Sequence, residues 1–182
     1  VTAAAGIFTR DMMHDDDYST AFFSESERFF HNRMNGVLAQ YNGKRDSYVE
    51  FVCDWEGMYS TLSREKFRIL LAGRHYLDTF YYGFNYSMFH YAGQQGAPIE
   101  NVVDLQLLNP CVGVRFNAFF DFDIKLGALL TAQRDRSFGH SWEKPCMGEF
   151  AFRISRWGLS LDERLYVGDN IHPFFYGHEL ED

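Results

Sequence analysis

The stretch Ser47-Tyr48-Val49-Glu50-Phe51-Val52-Cys53-Asp54-Trp55 decides the fold. Val49, Phe51, Cys53 and Trp55 fall on every second position, and Glu50 and Asp54 stand between them. A period of two belongs to the β-strand, whose successive side chains point to opposite faces of a sheet. One face here is apolar and the other carries acid.

The same pattern recurs on both sides. In 67–76, Phe67, Ile69 and Leu71 oppose Arg68 and Arg74; in 80–91, Phe80, Tyr82, Phe84, Tyr86 and Met88 oppose Gly83, Asn85 and Ser87. In 119–133, Phe120, Phe122, Ile124, Leu126 and Ala128 oppose Asp121, Asp123, Lys125 and Gly127. Phe150, Phe152 and Ile154 alternate with Glu149, Arg153 and Ser155. After a turn at Gly158, Leu159, Leu161, Leu165 and Val167 alternate with Ser160, Asp162, Arg164 and Tyr166. Residues 34–41 read as a strand closed by the turn signal Asn42-Gly43. Residues 102–108 and 112–116 flank Asn109-Pro110, and the apolar phase switches across the proline, which predicts a bulge or a break there.

Between these runs lie polar connections at 92–98 and 134–146, and a turn-rich segment from Gly168 to Asp182 that leads toward a further strand. Residues 1–33 are the least regular. Val1–Thr9 reads as the end of a strand, and Asp15-Asp16-Asp17 as a solvated loop, because no EF-hand spacing follows it. No segment repeats at 3.6 residues over helical length. The expectation is a single all-β domain over 1–182, an antiparallel up-and-down sheet of about eight strands.

Composition narrows the class. Aromatics reach 18% of 182 residues, with 19 Phe and 11 Tyr, and only 4 prolines interrupt the strands. The formal charge of −8 leaves no basic face for nucleic acid. No apolar run is long enough for a transmembrane helix. Cys53, Cys111 and Cys146 form no CxxC and no zinc spacing, so neither a metal nor a cofactor is expected. The chain begins at Val1 and ends in an acidic tail, and is expected to be an internal piece of a longer protein.

Alternation alone does not tell a soluble barrel from a membrane one, where the apolar face turns outward to lipid. Three features favour the membrane. The polar face joins opposite charges, Asp54, Asp121, Asp123 and Asp162 with Arg68, Arg74, Arg153 and Arg164, as a lumen demands. The apolar face carries Phe, Leu, Ile and Val mid-strand with Tyr, Trp and His nearer the ends, the girdle arrangement. The strands exceed the five or six residues usual in globular sheets. A transmembrane β-barrel of the bacterial outer membrane is therefore expected, with membrane lipid and a small solute as its partners. A lipocalin-like cup holding a hydrophobic ligand is the soluble alternative.

Particular words of the sequence carry a resemblance as well. Residues 36–41 and 50–58, then His90-Tyr91-Ala92-Gly93, 103–113, 130–135, 165–170 and Pro173-Phe174-Phe175-Tyr176-Gly177 resemble a family of outer-membrane β-barrel proteins from Bacteroides-type bacteria. The resemblance spans about 34–177 and implies fold and location, with no activity attached.

Candidate chemistry is sparse. A lipid hydrolase of the outer membrane would need a Ser–His pair. Ser87 and His90 stand three apart on one strand and so face opposite ways, His140 and Ser141 are loop neighbours, and no GxSxG occurs. His75 and His90 read as members of an interfacial aromatic ring. Asp169-Asn170 and His172, before Pro173, read as turn residues. The charged set of Asp54, Arg68, Arg74, Asp121, Asp123, Arg153, Asp162 and Arg164 remains the main candidate site. It is expected to act as a salt-bridged plug in a narrow barrel and as a solute constriction in a wide one.

Overall fold

A computed structural model describes residues 1–23, 30–58, 60, 64–93 and 101–171. Its nine strands are β1 (Thr2–Thr9), β2 (Arg33–Asn42), β3 (Tyr48–Gly57), β4 (Lys66–Leu77), β5 (Phe80–Tyr91), β6 (Val103–Asn117), β7 (Asp121–Asp135), β8 (Cys146–Arg156) and β9 (Leu159–Gly168). Each pairs antiparallel with the next, in the order β1 to β9. The all-β, up-and-down expectation holds. The ninth strand is β1, which the sequence marks only as a strand end.

The alternation seen in the sequence becomes two faces with opposite roles. On β3, Tyr48, Glu50, Val52 and Asp54 are buried, whereas Val49, Phe51 and Trp55 are exposed. The buried positions of β2 and β4 (Met34, Leu38 and Gln40; Arg68, Leu70, Ala72 and Arg74) lie on the same inner face in register.

The sheet is strongly rolled. Tyr18 Oη donates to Glu50 Oε1 on β3 at 3.0 Å, while the Tyr18 carbonyl accepts from Arg164 on β9 at 3.0 Å. Six interstrand steps of about 4.8 Å would part those strands by about 29 Å in a flat sheet. One tyrosine bridges them only because the sheet curls around it. Among the described residues β1 and β9 pair on one side only, and in an alternating order of nine they run in the same direction.

The two ends of the sheet differ. The connections 43–47, 78–79, 118–120 and 157–158 form one end, and the longer 10–32, 58–65, 92–102 and 136–145 form the other. Trp157 (φ 54°) and Gly158 (φ 79°) both sit at positive φ, the two-residue hairpin turn whose twist suits flanking strands. In the β2–β3 turn the positive-φ residues are Arg45 and Asp46, two positions beyond the Asn42-Gly43 signal. The loop 94–98, His172-Pro173 and the possible strand past Ile171 lie outside the described residues.

Two local expectations are corrected. No bulge forms at Asn109-Pro110: β6 runs straight through, and its register against β7 is the same at Leu108↔Leu130 and Cys111↔Gly127. The phase switch is real but has another cause. Val103, Leu105 and Leu107 are buried on the inner face, and beyond Pro110 the apolar residues Val112 and Phe116 are exposed on the outer one. The aspartate run is only partly the solvated loop expected: Asp16 is exposed, but Asp15 and Asp17 are half-buried. Arg10–Met12 and Asp15–Asp17 form 3-10 turns that lie against the inner face, and Tyr18, Phe22 and Phe23 are buried in one cluster with Phe8, Leu38, Val52, Leu70, Leu107 and Leu129.

Glycines mark where the strands approach closely. A Cβ on Gly36 would overlap the Cys53 carbonyl, whereas one on Gly148 meets only the Val167 carbonyl at 3.7 Å. Gly36→Ala is expected to lower stability by about 2 kcal/mol or more through overpacking, and Gly148→Ala by less than about 0.5 kcal/mol. Urea midpoints of the two variants check this.

Candidate functional site

The rolled sheet brings inward-facing charges from separate strands to the segment 10–23. They fall into two groups. Arg68 and Arg74 stand six positions apart on β4, about 20 Å at strand spacing, and each anchors one.

Toward the end with long connections, Arg68 pairs with Glu56 at 3.1 Å and lies over the Phe23 ring, which Arg10 also faces at 4.1 Å. Asp54, opposite Arg68 in register, accepts from the Asn35 backbone N–H at 2.8 Å. Burial of arginine against an aromatic face strengthens a cation–π contact, because water no longer competes for the charge.

Toward the short turns, Arg74 pairs with Asp17 at 2.7 Å, and its guanidinium lies 4.6 Å from the Tyr81 ring centre. Tyr81 Oη donates to Asp123 at 2.6 Å. Asp162 meets Arg164 at 3.4 Å and Arg153 at 3.7 Å. These residues surround a polar cavity of about 60 Å³ that Arg115 and Lys125 also line. That volume holds a few waters, and a larger cavity of about 660 Å³ shares Asp16, Asp17, Arg115 and Arg153 with it.

Glu149 is a deeply buried charge, its side chain 0% exposed. Lys125 meets it at 3.3 Å, Asn109 Nδ2 donates to it at 3.0 Å, and Tyr166 Oη donates at 3.4 Å. Tyr166 also contacts Thr20 Oγ1 at 2.6 Å and so ties the edge strand β9 to the inner segment. Glu50, equally enclosed, accepts from Gln40 Nε2, the His14 backbone N–H and Tyr18 Oη. Burial, reinforced by the Glu50 carboxylate, pushes the Tyr18 hydroxyl well above its ordinary pKa, so it remains a neutral donor.

Of the eight charged residues singled out in the sequence, Arg74, Asp123, Arg153, Asp162 and Arg164 come together at this cavity. Arg68 and Asp54 belong to the other group, and Asp121 sits exposed beside Asn117 at the β6–β7 turn. Sequence reasoning missed Asp17, Glu50, Arg115, Lys125 and Glu149 as partners. Glu50, Lys125 and Glu149 carried a usable signal, since each alternates with large apolar residues. Asp17 carried none.

Of the paired nucleophile candidates, Ser87 takes an inner-face position and His90 an outer one, and His140 and Ser141 are exposed in the 136–145 connection. His75 lies on the outer face, tilted against Tyr82 with ring centres 5.5 Å apart. Cys53, Cys111 and Cys146 are free thiols. Among the described residues no three His, Cys, Asp or Glu side chains converge as a metal site. The outer apolar face has one marked interruption on β9, where Glu163 stands between Leu161 and Leu165.

Removing one partner of a buried ion pair strands the other charge away from water. Lys125→Met is expected to cost about 3 kcal/mol, and adding Glu149→Gln to recover at least half of that. A double-mutant cycle by urea unfolding checks it; simple additivity of the two losses would contradict the pairing.

No family model, no curated protein and no solved structure matches this chain.

Proposed function

We propose that this chain forms the wall of an outer-membrane β-barrel, closed at rest by its own 10–23 segment, with a structural or solute-transport role. The observation that carries the reading is inverted polarity. Glu50, Arg68, Arg74, Lys125 and Glu149 are buried inside, while Val49, Phe51, Phe84, Val112, Leu126, Leu165 and Val167 stand exposed outside. In water such an outer face would drive association, because monomeric soluble proteins rarely expose contiguous apolar patches beyond a few hundred Å². In lipid it is the stable arrangement.

The dimensions agree. Outer-face residues from Leu108 to Phe116 span eight steps of β6, roughly 27 Å of strand and about 21 Å of height at a 40° tilt. Short turns at one end and longer connections at the other follow the pattern of such barrels, with the long connections outside the cell. The resemblance to barrels of Bacteroides-type bacteria points the same way. Closure of the wall belongs to this proposal, since among the described residues β1 and β9 are each paired on one side only and open edges are not tolerated in hydrocarbon.

The full-length protein, folded in detergent, is expected to migrate differently on a gel before and after boiling, and to aggregate without detergent. An unshifted, detergent-free soluble monomer would overturn the reading and favour the ligand-binding cup. In planar bilayers the wild type is expected to be mostly closed. Arg74→Ala, which releases Asp17, is expected to open at least about tenfold more often, the size of one buried charge-assisted contact. A large steady conductance in the wild type would contradict a seated plug.

A further inference from the structure

At the end with short turns, the cavity of about 660 Å³ lies between the inner segment and the wall. Its charges are sorted by element. Asp11, Asp16 and Asp17 reach it from the 3-10 turns and Asp46 from the β2–β3 turn, whereas Arg115 and Arg153 reach it from β6 and β8.

The acidic side is fixed in place. Gln40 Nε2 donates to the Met12 carbonyl at 2.6 Å, the His14 backbone N–H donates to Glu50 at 2.9 Å, and Asp17 holds Arg74 at 2.7 Å. The His14 ring stacks on Tyr48 with centres 3.7 Å apart. Asp16 stands between these anchors, exposed, and forms no ion pair among the described residues. The basic side keeps donors to spare. Arg115 is exposed and likewise forms no ion pair among the described residues. Arg153 meets Asp162 only at 3.7 Å, and its side chain is 45% exposed. The aspartates that alternate with these arginines in register, Asp123 and Asp162, line the smaller cavity instead, where Tyr81 Oη and Arg164 engage them.

We propose that this cavity binds a short peptide with free ends, its carboxylate on Arg115 and Arg153 and its ammonium on Asp16 and Asp11. The inference rests on the barrel reading above and names a solute class for it. A volume of about 660 Å³ is ordinary for a small-molecule site. Charge decides the class. The planar guanidinium fork suits a carboxylate, and the aspartates accept from an ammonium. An anionic solute would meet the aspartates and a cationic one the arginines, so like charges disfavour both. A solute with one charge of each sign satisfies both sides. Met13 and Tyr76 add apolar contact for its side chains. On the barrel reading the short turns face the periplasm, which makes the cavity the place where a solute leaves the wall.

The test is isothermal titration calorimetry on the full-length protein in detergent, with trialanine, N-acetyl-trialanine and trialanine amide. Trialanine is expected to bind saturably and each blocked peptide at least about tenfold more weakly, the size of one charge-assisted contact. Arg115→Gln with Arg153→Gln is expected to erase the difference between trialanine and its amide. Asp11→Asn with Asp16→Asn is expected to erase the difference between trialanine and its acetylated form. All four side chains are exposed, so the substitutions leave the fold intact. Lys144→Gln, exposed at the opposite end, is expected to keep both differences. Absence of saturable binding, equal binding of the blocked peptides, or a difference that survives its double substitution would overturn the inference. The boiling shift separates the two failures. A shifted protein without these differences sinks only this site, whereas an unshifted soluble protein sinks the membrane reading and the periplasmic site with it.

Discussion

Charge on the inner face must find partners away from bulk water, and this requirement shapes the rest of the molecule. Glu50 and Glu149 are sealed inside the roll, and neither has its hydrogen bonds met by its own strand neighbours alone. Glu149 takes Lys125 from β7 and Asn109 from β6, and Glu50 takes donors from β2 and from the connection that follows β1. Isolated buried carboxylates would cost several kcal/mol each, so the strands and the 10–23 segment stabilise one another or neither is stable. Tyr18 stands at the centre of this dependence. Its hydroxyl serves β3 and its carbonyl serves β9, which fixes the curvature of the sheet.

The outer face follows from the same constraint. A period of two leaves no choice: when the polar residues of a strand turn inward, its apolar residues turn out. The exposed residues form a continuous band because neighbouring strands keep register without bulges across most of the sheet. In ladder after ladder, outer residues meet outer residues, as in Phe51↔Leu71, Leu71↔Tyr86 and Tyr86↔Leu108. The parallel sense of β1 and β9 means that antiparallel closure requires an odd number of further strands between them.

The strands were legible because the pattern producing them is local. Val49 to Trp55 alternates within one strand, and β-hairpin pairing needs only the next one. Pro110 misled because proline lacks an N–H. That absence removes ladder contacts toward β7 at Asn109 and Pro110 without shifting the pairs on either side. The site was only half legible. Arg153, Asp162 and Arg164 lie on paired neighbouring strands, so their meeting is readable from register. Asp17 reaches Arg74 across 57 positions through an irregular segment, and no periodic signal announces such a contact. An acidic run looks the same in sequence whether it faces water or a buried arginine.

In the proposed barrel the apolar face of the sheet meets lipid and the charged face meets the 10–23 segment. The direct measurement is a nitroxide scan of residues 49–55 on β3, one label at a time, in lipid bilayers, comparing collision with oxygen and with a water-soluble nickel chelate. A lipid-facing outer surface gives a period of two, with oxygen collision highest at 49, 51, 53 and 55 and both collision rates low at 50, 52 and 54. High nickel accessibility at 49, 51 and 53 would put that face in water and contradict the membrane barrel.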